Sequence, residues 1–394
     1  LVGSEMCIRD STKYYPYIPF MASGTAGNWL FVDGEKSLYI NPAGLVSSDL
    51  TWEKASTFNI GLDFTMLNQR LDFSFDWYQR TTSDMLVKVE YPEVLGTTAP
   101  PANKAELRTR GWEVSVKWND RIGNDFSYDL GFILSDSQAE ITKYENPSGT
   151  LSDYYVGQKI GEIWGYETEG FYQSDTDVQN HADQSKLGAN WAPGDIMYKD
   201  LDGNKKINNG SNTLDDHGDL KVIGNTTPRY QYGITANMSY KNVYLNVFFQ
   251  GIGKRDFWPS SQPFWPVATQ YYNTQKWFVT DSWSEDNRDA YFARPIARET
   301  KNQQKQTKYL QDASYCRLKN LTVGYDFPKS WLSFLHVAKA GVYFSAENLF
   351  EFTNVKGAYD PEAAGKNGTM VYPFQRTYSF GLNAVSYTHL TLPT

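Results

Sequence analysis

Residues 52–86 carry the clearest hydrophobic pattern in the chain. Apolar side chains occupy every second position from Phe58 to Met66, and the alternation restarts after a short polar break and continues from Leu71 to Trp77. Successive side chains of a β-strand point to opposite faces, so each run predicts a strand with one apolar and one polar face. The break is short enough for a tight turn, so the two strands are predicted to pair antiparallel.

The same alternation recurs along the rest of the chain and predicts further strands of this kind. Several are ten residues or longer, which matches the roughly 9 to 11 residues of a transmembrane strand better than the roughly 5 to 6 of a soluble sheet. A further short strand is expected near 29–32. The nine predicted strands lie at 58–66, 71–77, 112–118, 126–132, 230–240, 243–250, 321–327, 340–350 and 378–384.

The connections between these strands alternate in length. Outer-membrane barrels have short turns at the periplasmic end and long loops outside. We therefore predict an all-β fold, an antiparallel transmembrane β-barrel, with polar side chains such as Asp63, Asp72, Asp76, Asn237 and Asn320 facing a lumen. Nine strands do not close a bacterial barrel, so a C-terminal part of a larger barrel is expected. The short connections lie near 67–71, 119–125, 240–243 and 327–339, and the long ones at 87–107, 141–228, 254–312 and 351–373.

Composition narrows the class of protein. Aromatic residues make up 16% of the chain, which suits strands and loops. No run approaches the roughly 18 apolar residues of a membrane-spanning helix. The net charge of −8 without a basic block argues against nucleic acid as a partner. Two cysteines without a CxxC spacing argue against a disulfide framework or a zinc site.

Both ends of the sequence differ from the pattern between them. Residues 1–11 and 385–394 resemble translated sequencing-adapter read-through and are expected to be non-native. The interpretable region is therefore residues 12–384.

Several segments in 14–384 resemble SusC/RagA-type TonB-linked outer-membrane proteins of Bacteroidetes. The first is LTWEKASTFNIGLDFTML, followed by RLDFSFDWYQRTTSDML. The others, in the family's order, are VGQKIGEIWGYETEGFYQ, PGDIMYKDLDGN, IGNTTPRYQYGI, ASYCRLKNLTVGYDFP, SAENLF, YDPEA and YPFQRTYSFGLN.

The resemblance implies a barrel of 22 strands in the bacterial outer membrane, of which 12–384 is the C-terminal portion and from which the plug domain is absent here. It implies import of oligosaccharides, glycans or peptides together with a SusD-like surface lipoprotein, driven through the TonB complex. The segment that contacts TonB is expected in the missing N-terminal part, and outer-membrane lipid surrounds the barrel.

Two other functions remain open at this stage. One is a TonB-dependent siderophore or cobalamin receptor, and the other is a secreted carbohydrate-binding β-sandwich protein. The sequence contains no nucleophile elbow, P-loop or GxGxxG motif, and nothing in it pairs two carboxylates for acid–base chemistry. We therefore expect no enzyme activity, no catalytic residue and no organic cofactor.

One polar segment resembles a calcium-binding loop. Oxygen-bearing side chains at the first, third and fifth positions, then a backbone carbonyl at the seventh, match the ligand order of such loops. The usual turn glycine is Lys205, and Ser211 stands where an acid would close the site, so Asp216 or Asp219 are alternatives to the acid at 215. An ordinary solvated acidic turn is the competing interpretation. The candidate ligands are Asp200, Asp202, Asn204, Lys206 through its carbonyl, and Asp215.

The long loop after residue 254 is rich in aromatic residues. Flat rings stack on sugar faces or anchor protein interfaces, so some are candidates for contact with a ligand or the lipoprotein partner. The alternative is that most of them pack the loop into an ordered structure, because a long structureless loop is uncommon. The candidate contact residues are Trp258, Trp265, Tyr271, Tyr272 and Trp277.

Overall fold

The computed structural model describes residues 18–19, 21, 23–30, 36–41, 43, 45–47, 50–88, 100–261, 264–267, 274–333, 337–357, 359–363 and 374–386. The strands are β1 (Ser23–Leu30), β2 (Lys36–Ile40), β3 (Lys54–Met66), β4 (Leu71–Lys88), β5 (Pro101–Ile122), β6 (Phe126–Lys143), β7 (Glu162–Tyr166), β8 (Thr168–Phe171), β9 (Ile196–Tyr198), β10 (Leu220–Asn225), β11 (Arg229–Tyr240), β12 (Val243–Lys254), β13 (Asp256–Phe257), β14 (Gln311–Asp312), β15 (Tyr315–Asp326), β16 (Val337–Glu347), β17 (Glu351–Thr353) and β18 (Thr377–Ser386). The helices are α1 (Asp175–Asn180), α2 (Lys276–Thr280), α3 (Lys329–Leu332) and a 3₁₀ turn at Lys301–Gln303. Within the described residues, no helix is both long and apolar enough to cross a membrane.

The nine predicted long strands form one antiparallel sheet. Its order is β18-β16-β15-β12-β11-β6-β5-β4-β3, so each long strand pairs with the next long strand in the chain, and the short β17 pairs with β15. The short connections all lie at one end of this sheet and the long ones at the other. The loop parity predicted from the sequence is therefore confirmed.

Several strand boundaries differ from the prediction, most clearly at the start of β5. Residues 101–107 were assigned to a loop because of the prolines, but β5 begins at Pro101 and runs for 22 residues. Proline is tolerated as the first residue of a strand, where its missing N–H costs little. The short strand expected near 29–32 is part of a hairpin in which β1, ending at Leu30, pairs with β2; residues 31 and 32 lie outside the described residues.

The register gives the sheet two chemically different faces. One row of paired residues is apolar across six strands, and a row three positions away, on the opposite face, is polar across seven. Many apolar side chains on the first face are uncovered by protein, with Phe380 83% and Leu382 70% exposed. The apolar row is Phe64–Phe73–Val116–Phe132–Ile234–Phe249, and the polar row is Asn119–Asp129–Asn237–Asn246–Thr322–Ser345–Ser379.

Tyrosine and glycine alternate in one row of the polar face. Tyr244, Gly324, Tyr343 and Gly381 are paired across four neighbouring strands. The rings lie over the glycines so closely that a Cβ atom on Gly324 would sit 2.1 Å from Cζ of Tyr244. Glycine is required here by close approach rather than by backbone conformation.

Replacing Gly324 with alanine is expected to destabilise the sheet by about 1–3 kcal/mol, because Tyr244 must leave its place over the strand. The measurement is the urea midpoint of the full-length protein in detergent. A Tyr244→Ala/Gly324→Ala double variant removes the clash and should cost less than the sum of the two single changes. Strictly additive effects of the two single changes would contradict the close contact between the Tyr244 ring and Gly324.

Residues 144–228 and 255–314, here called the cap, are the two longest connections of the sheet. They contain β7–β10, β13, β14, α1 and α2, and they share one hydrophobic core. They were predicted as long loops, and the described parts of both are folded. The buried core consists of Tyr166, Phe171, Ile196, Tyr198, Ile207, Phe264, Trp265, Phe278, Trp283, Ala290, Phe292, Ala293 and Tyr309.

Candidate functional site

Phe264 lies at the centre of the cap core. Its ring centroid is 4.8 Å from that of Trp265, 5.3 Å from Phe292 and 6.0 Å from Trp277, all in edge-to-face geometry. Such aromatic pairs add to the gain from burial alone. The aromatic residues of the second cap segment therefore stabilise the cap.

A buried carboxylate joins the two cap segments. Asp195, in the first segment, is fully buried and accepts hydrogen bonds from Arg294 Nε and Nη2, both at 2.8 Å. Lys301 Nζ lies 2.9 Å away and Asn302 Nδ2 donates at 2.9 Å. All three partners belong to the second segment, so this one acid connects parts of the chain about a hundred residues apart.

Lys301, the most deeply buried cation of this cluster, has partners for its ammonium donors. Lys301 is 1% exposed, and its Nζ donates to the carbonyls of Ala189 and Asn190 and lies 4.8 Å from the ring of Trp191. Burial opposes ionisation of Asp195, but the hydrogen bonds from Arg294, Asn302 and Lys301 hold its pKa below the ordinary value. Its stabilising contribution is thus present at neutral pH and is lost only as the pH falls through that lowered pKa.

The described aromatic candidates for ligand contact lie in or against this core. Trp265 is 8% exposed and donates from Nε1 to the carbonyl of Pro259. Trp258 packs beside Trp265, and Trp277 stacks on Tyr291 at 5.2 Å. These positions give the three tryptophans a packing role. Tyr271 and Tyr272 lie outside the described residues, and ligand contact by the five candidates stays a prediction.

The acidic loop forms a compact turn. Asp200 accepts hydrogen bonds from the backbone N–H groups of Gly203 and Lys205, and Asn204 Oδ1 accepts from Lys206 N. The carbonyl of Lys206, the candidate ligand at the seventh position, accepts a hydrogen bond from Asn208 Nδ2.

Three carboxylates of this loop approach one another. Oxygen atoms of Asp200, Asp202 and Asp219 lie within 4.8 Å of each other, whereas Asp215 does not belong to the group. Asp219 is fully buried and its two oxygens accept from Leu201 N and Asn208 N. Each carboxylate oxygen keeps a second lone pair, so the donor set suits a hard cation. Calcium binding here stays a prediction.

If calcium binds this loop, millimolar calcium should raise the melting temperature of the cap, since affinities of roughly 10⁻⁴–10⁻³ M are typical of extracellular sites. The measurement is tryptophan fluorescence of the full-length protein with calcium or with a chelator. Asp202→Asn should abolish the calcium response, and Asp215→Asn should keep it. An equal loss in both variants would contradict the assignment of Asp219 as the third acid.

The polar face of the sheet forms an open depression of about 600 Å³ near the short turns. Within it, Asn237 Nδ2 donates to Asp129 Oδ1 at 3.2 Å, and Lys117 pairs with the same carboxylate at 3.1 Å. A surface of amides, hydroxyls and mixed charges offers hydrogen bonds to a polar solute. Among the lining residues are Arg70, Asn119, Asp120, Asp129, Asn237 and Asn246.

The strand order, the loop parity and the two-faced sheet define an antiparallel β-barrel wall with a folded cap at its long-loop end. Residues 19–349 match the family model described as TonB dependent receptor-like, beta-barrel. The chain belongs to this family. It is a family of receptors and transporters rather than an enzyme class.

Curated relatives agree with this assignment. The chain is similar to TonB-dependent receptor P3 of Formosa agariphila, with 30% identity over 86% of this chain and 34% of that protein. It is also similar to TonB-dependent receptor SusC of Bacteroides thetaiotaomicron, with 27% identity over 86% of this chain and 32% of that protein. The chain spans about a third of the length of these relatives.

Solved structures show the same fold. A chain of the structure titled as the RagAB peptide transporter aligns over 93% of this chain and 38% of its own length, with a TM-score of 0.69 and 24% identity. The open-open state of the RagAB peptide importer gives a TM-score of 0.70 at 23% identity. The resemblance to SusC/RagA-type proteins stated from sequence motifs is confirmed.

Proposed function

We propose that the chain is the C-terminal barrel portion of a bacterial outer-membrane importer that takes up oligosaccharides or peptides and catalyses no reaction. The observation that carries the proposal is the two-faced sheet, which combines an uncovered apolar face with a continuous polar row. Lipid covers the apolar face, and the polar face lines the lumen. The cap then lies on the extracellular side, above that lumen.

The same proposal implies two partners, the TonB complex and a surface lipoprotein. Energy reaches the barrel from the TonB complex through a part of the receptor outside this chain. A SusD-like surface lipoprotein binds at the cap side, in keeping with the similarity to SusC and to the RagAB structure. Co-purification of the full-length receptor with one surface lipoprotein supports this partner, and a receptor that is isolated alone contradicts it.

Growth of a deletion strain tests the import function. Deleting the full-length gene, or tonB, should abolish growth on one class of oligosaccharide or peptide and leave growth on the corresponding monomers unchanged. A growth defect restricted to iron or cobalamin limitation would favour a siderophore or cobalamin receptor instead. Recovery of the full-length protein in the soluble fraction without detergent would overturn the membrane location.

A further inference from the structure

Three basic side chains lie where the sheet meets the cap: Arg255, the first residue of the second cap segment, and Arg317 and Lys319 of β15. The ladder between β12 and β15 skips Lys319, which is an extra residue in β15. Such a bulge re-aims side chains, and here Arg317 and Lys319 reach the same carboxylate, Glu362. The bulge therefore brings the two cations of β15 to one acidic partner.

Residues 359–363, here called the strap, cover this basic cluster. Arg317 Nη2 donates to Asp360 at 2.8 Å and its Nη1 to Glu362 at 3.1 Å. Lys319 Nζ donates to both oxygens of Glu362, at 2.8 and 2.9 Å. Arg255 Nη2 donates to the carbonyl of Pro361, in the strap. The strap thus places two carboxylates of the chain itself on the cluster.

The strap leaves part of the cluster unsatisfied. Arg255 is 6% and Arg317 2% exposed, and among the described residues the Nε atom of each has no hydrogen-bond partner. Arg317 Nε lies 4.0 Å from Glu351, which also pairs with Arg376. A guanidinium binds one carboxylate best through two parallel N–H groups. The strap instead offers Arg317 two acids through one nitrogen each.

An aromatic ring borders the same cluster. The ring centroid of Phe374 lies 5.2 Å from the guanidinium carbon of Arg317 and 4.9 Å from Lys319 Nζ. Phe374 is 48% exposed. Cations beside an exposed ring match a uronic acid, which carries a carboxylate next to the apolar face of its sugar ring.

We propose that Arg255, Arg317 and Lys319 form a luminal binding site for the carboxylates of an acidic, uronate-containing oligosaccharide, and that Asp360 and Glu362 of the strap occupy this site until such a ligand displaces them. The ligand's carboxylate accepts hydrogen bonds from two parallel N–H groups of one guanidinium, an arrangement that the strap does not provide. The proposal rests on the proposed import function, since it names the class of its substrate.

Binding to the purified full-length receptor tests the site. The probe is oligogalacturonate, and its methyl ester is the neutral control of equal length, with affinity measured by calorimetry in detergent. We expect the wild type to bind the acid but not the ester. Arg317→Lys keeps the charge and loses the fork, so it should weaken binding roughly tenfold or more. Lys319→Gln is the second variant, and a heat-modifiable band on gels verifies assembly of both.

Releasing the strap is expected to strengthen binding of the acidic ligand, whereas Arg317→Lys weakens it. Asp360→Asn/Glu362→Gln removes the competing carboxylates and should tighten binding of oligogalacturonate by roughly tenfold. Glu285→Gln/Asp286→Asn removes two exposed acids of the cap and should leave the affinity unchanged. This matched pair separates competition at the site from a general change in charge.

Three results would overturn the proposal: equal affinity for the acid and its ester, no gain on releasing the strap, or equally tight binding of oligoglutamate. The last result would assign the site to acidic peptides. Loss of the import function is detected separately, because it abolishes TonB-dependent growth but does not change the affinity measured in detergent.

Discussion

Replacing Asp195 with asparagine is expected to destabilise the cap by about 3–5 kcal/mol, one of the largest effects of any single change in this chain. The amide has nearly the shape of the carboxylate but carries no charge. Lys301 is 1% exposed and Arg294 is half-buried, so both cations lose the group that neutralises them. Loss of one partner of a buried ion cluster costs far more than loss of a surface pair.

Limited proteolysis of the full-length receptor in detergent measures this effect, since cleavage within the cap reports its local unfolding. Asp195→Asn should be cut rapidly between residues 144 and 314 while the barrel strands stay protected. Asp286→Asn, an exposed acid of the same cap, is the matched control and should be cut at the wild-type rate. Equal cleavage of both variants would show that Asp195 does not hold the two segments together.

The barrel wall was predictable because its signal is local. An alternation such as that of β11 needs only twelve consecutive residues to show both faces of a strand. The alternation of short and long connections then follows from counting the strands in chain order. The prolines misled the prediction only at the start of β5, where Pro101 opens a strand.

The cap and the strap were not predictable because their contacts are long-range. Asp195 and Arg294 are 99 positions apart, and Arg317 and Glu362 are 45 apart. No local period marks such pairs. The acidic loop is an intermediate case, since its first acids were read from spacing, whereas the fold brings Asp219 rather than Asp215 beside them.

The barrel wall therefore determines stability, whereas the cap and the basic cluster determine substrate specificity. The apolar face and the strand register require only alternating apolar and polar residues along the wall, so many sequences can form them. The cap core and the basic cluster depend on individual residues that meet only once the wall has formed. Differences in substrate between related receptors are therefore expected in the cap and strap rather than in the strands.

A matched pair of arginine substitutions on β11 tests the assignment of the two faces. Ile234 lies in the apolar row and Asn237 in the polar row, three residues further along. Ile234→Arg is expected to destabilise the folded barrel by about 2–4 kcal/mol, because it moves a charge into lipid. Asn237→Arg is expected to be nearly neutral, since Asn237 is exposed and its amide lies 3.2 Å from Asp129, which can pair with the new cation.

The measurement is the denaturant-dependent folding of the full-length receptor into vesicles, read from tryptophan fluorescence and heat-modifiability. The same two variants should differ in outer-membrane abundance in cells, with Ile234→Arg reduced and Asn237→Arg retained. Because both changes place the same side chain on one strand, strand propensity cancels in the comparison. A larger loss for Asn237→Arg than for Ile234→Arg would reverse the faces, and with them the lumen in which the basic cluster and its strap are placed.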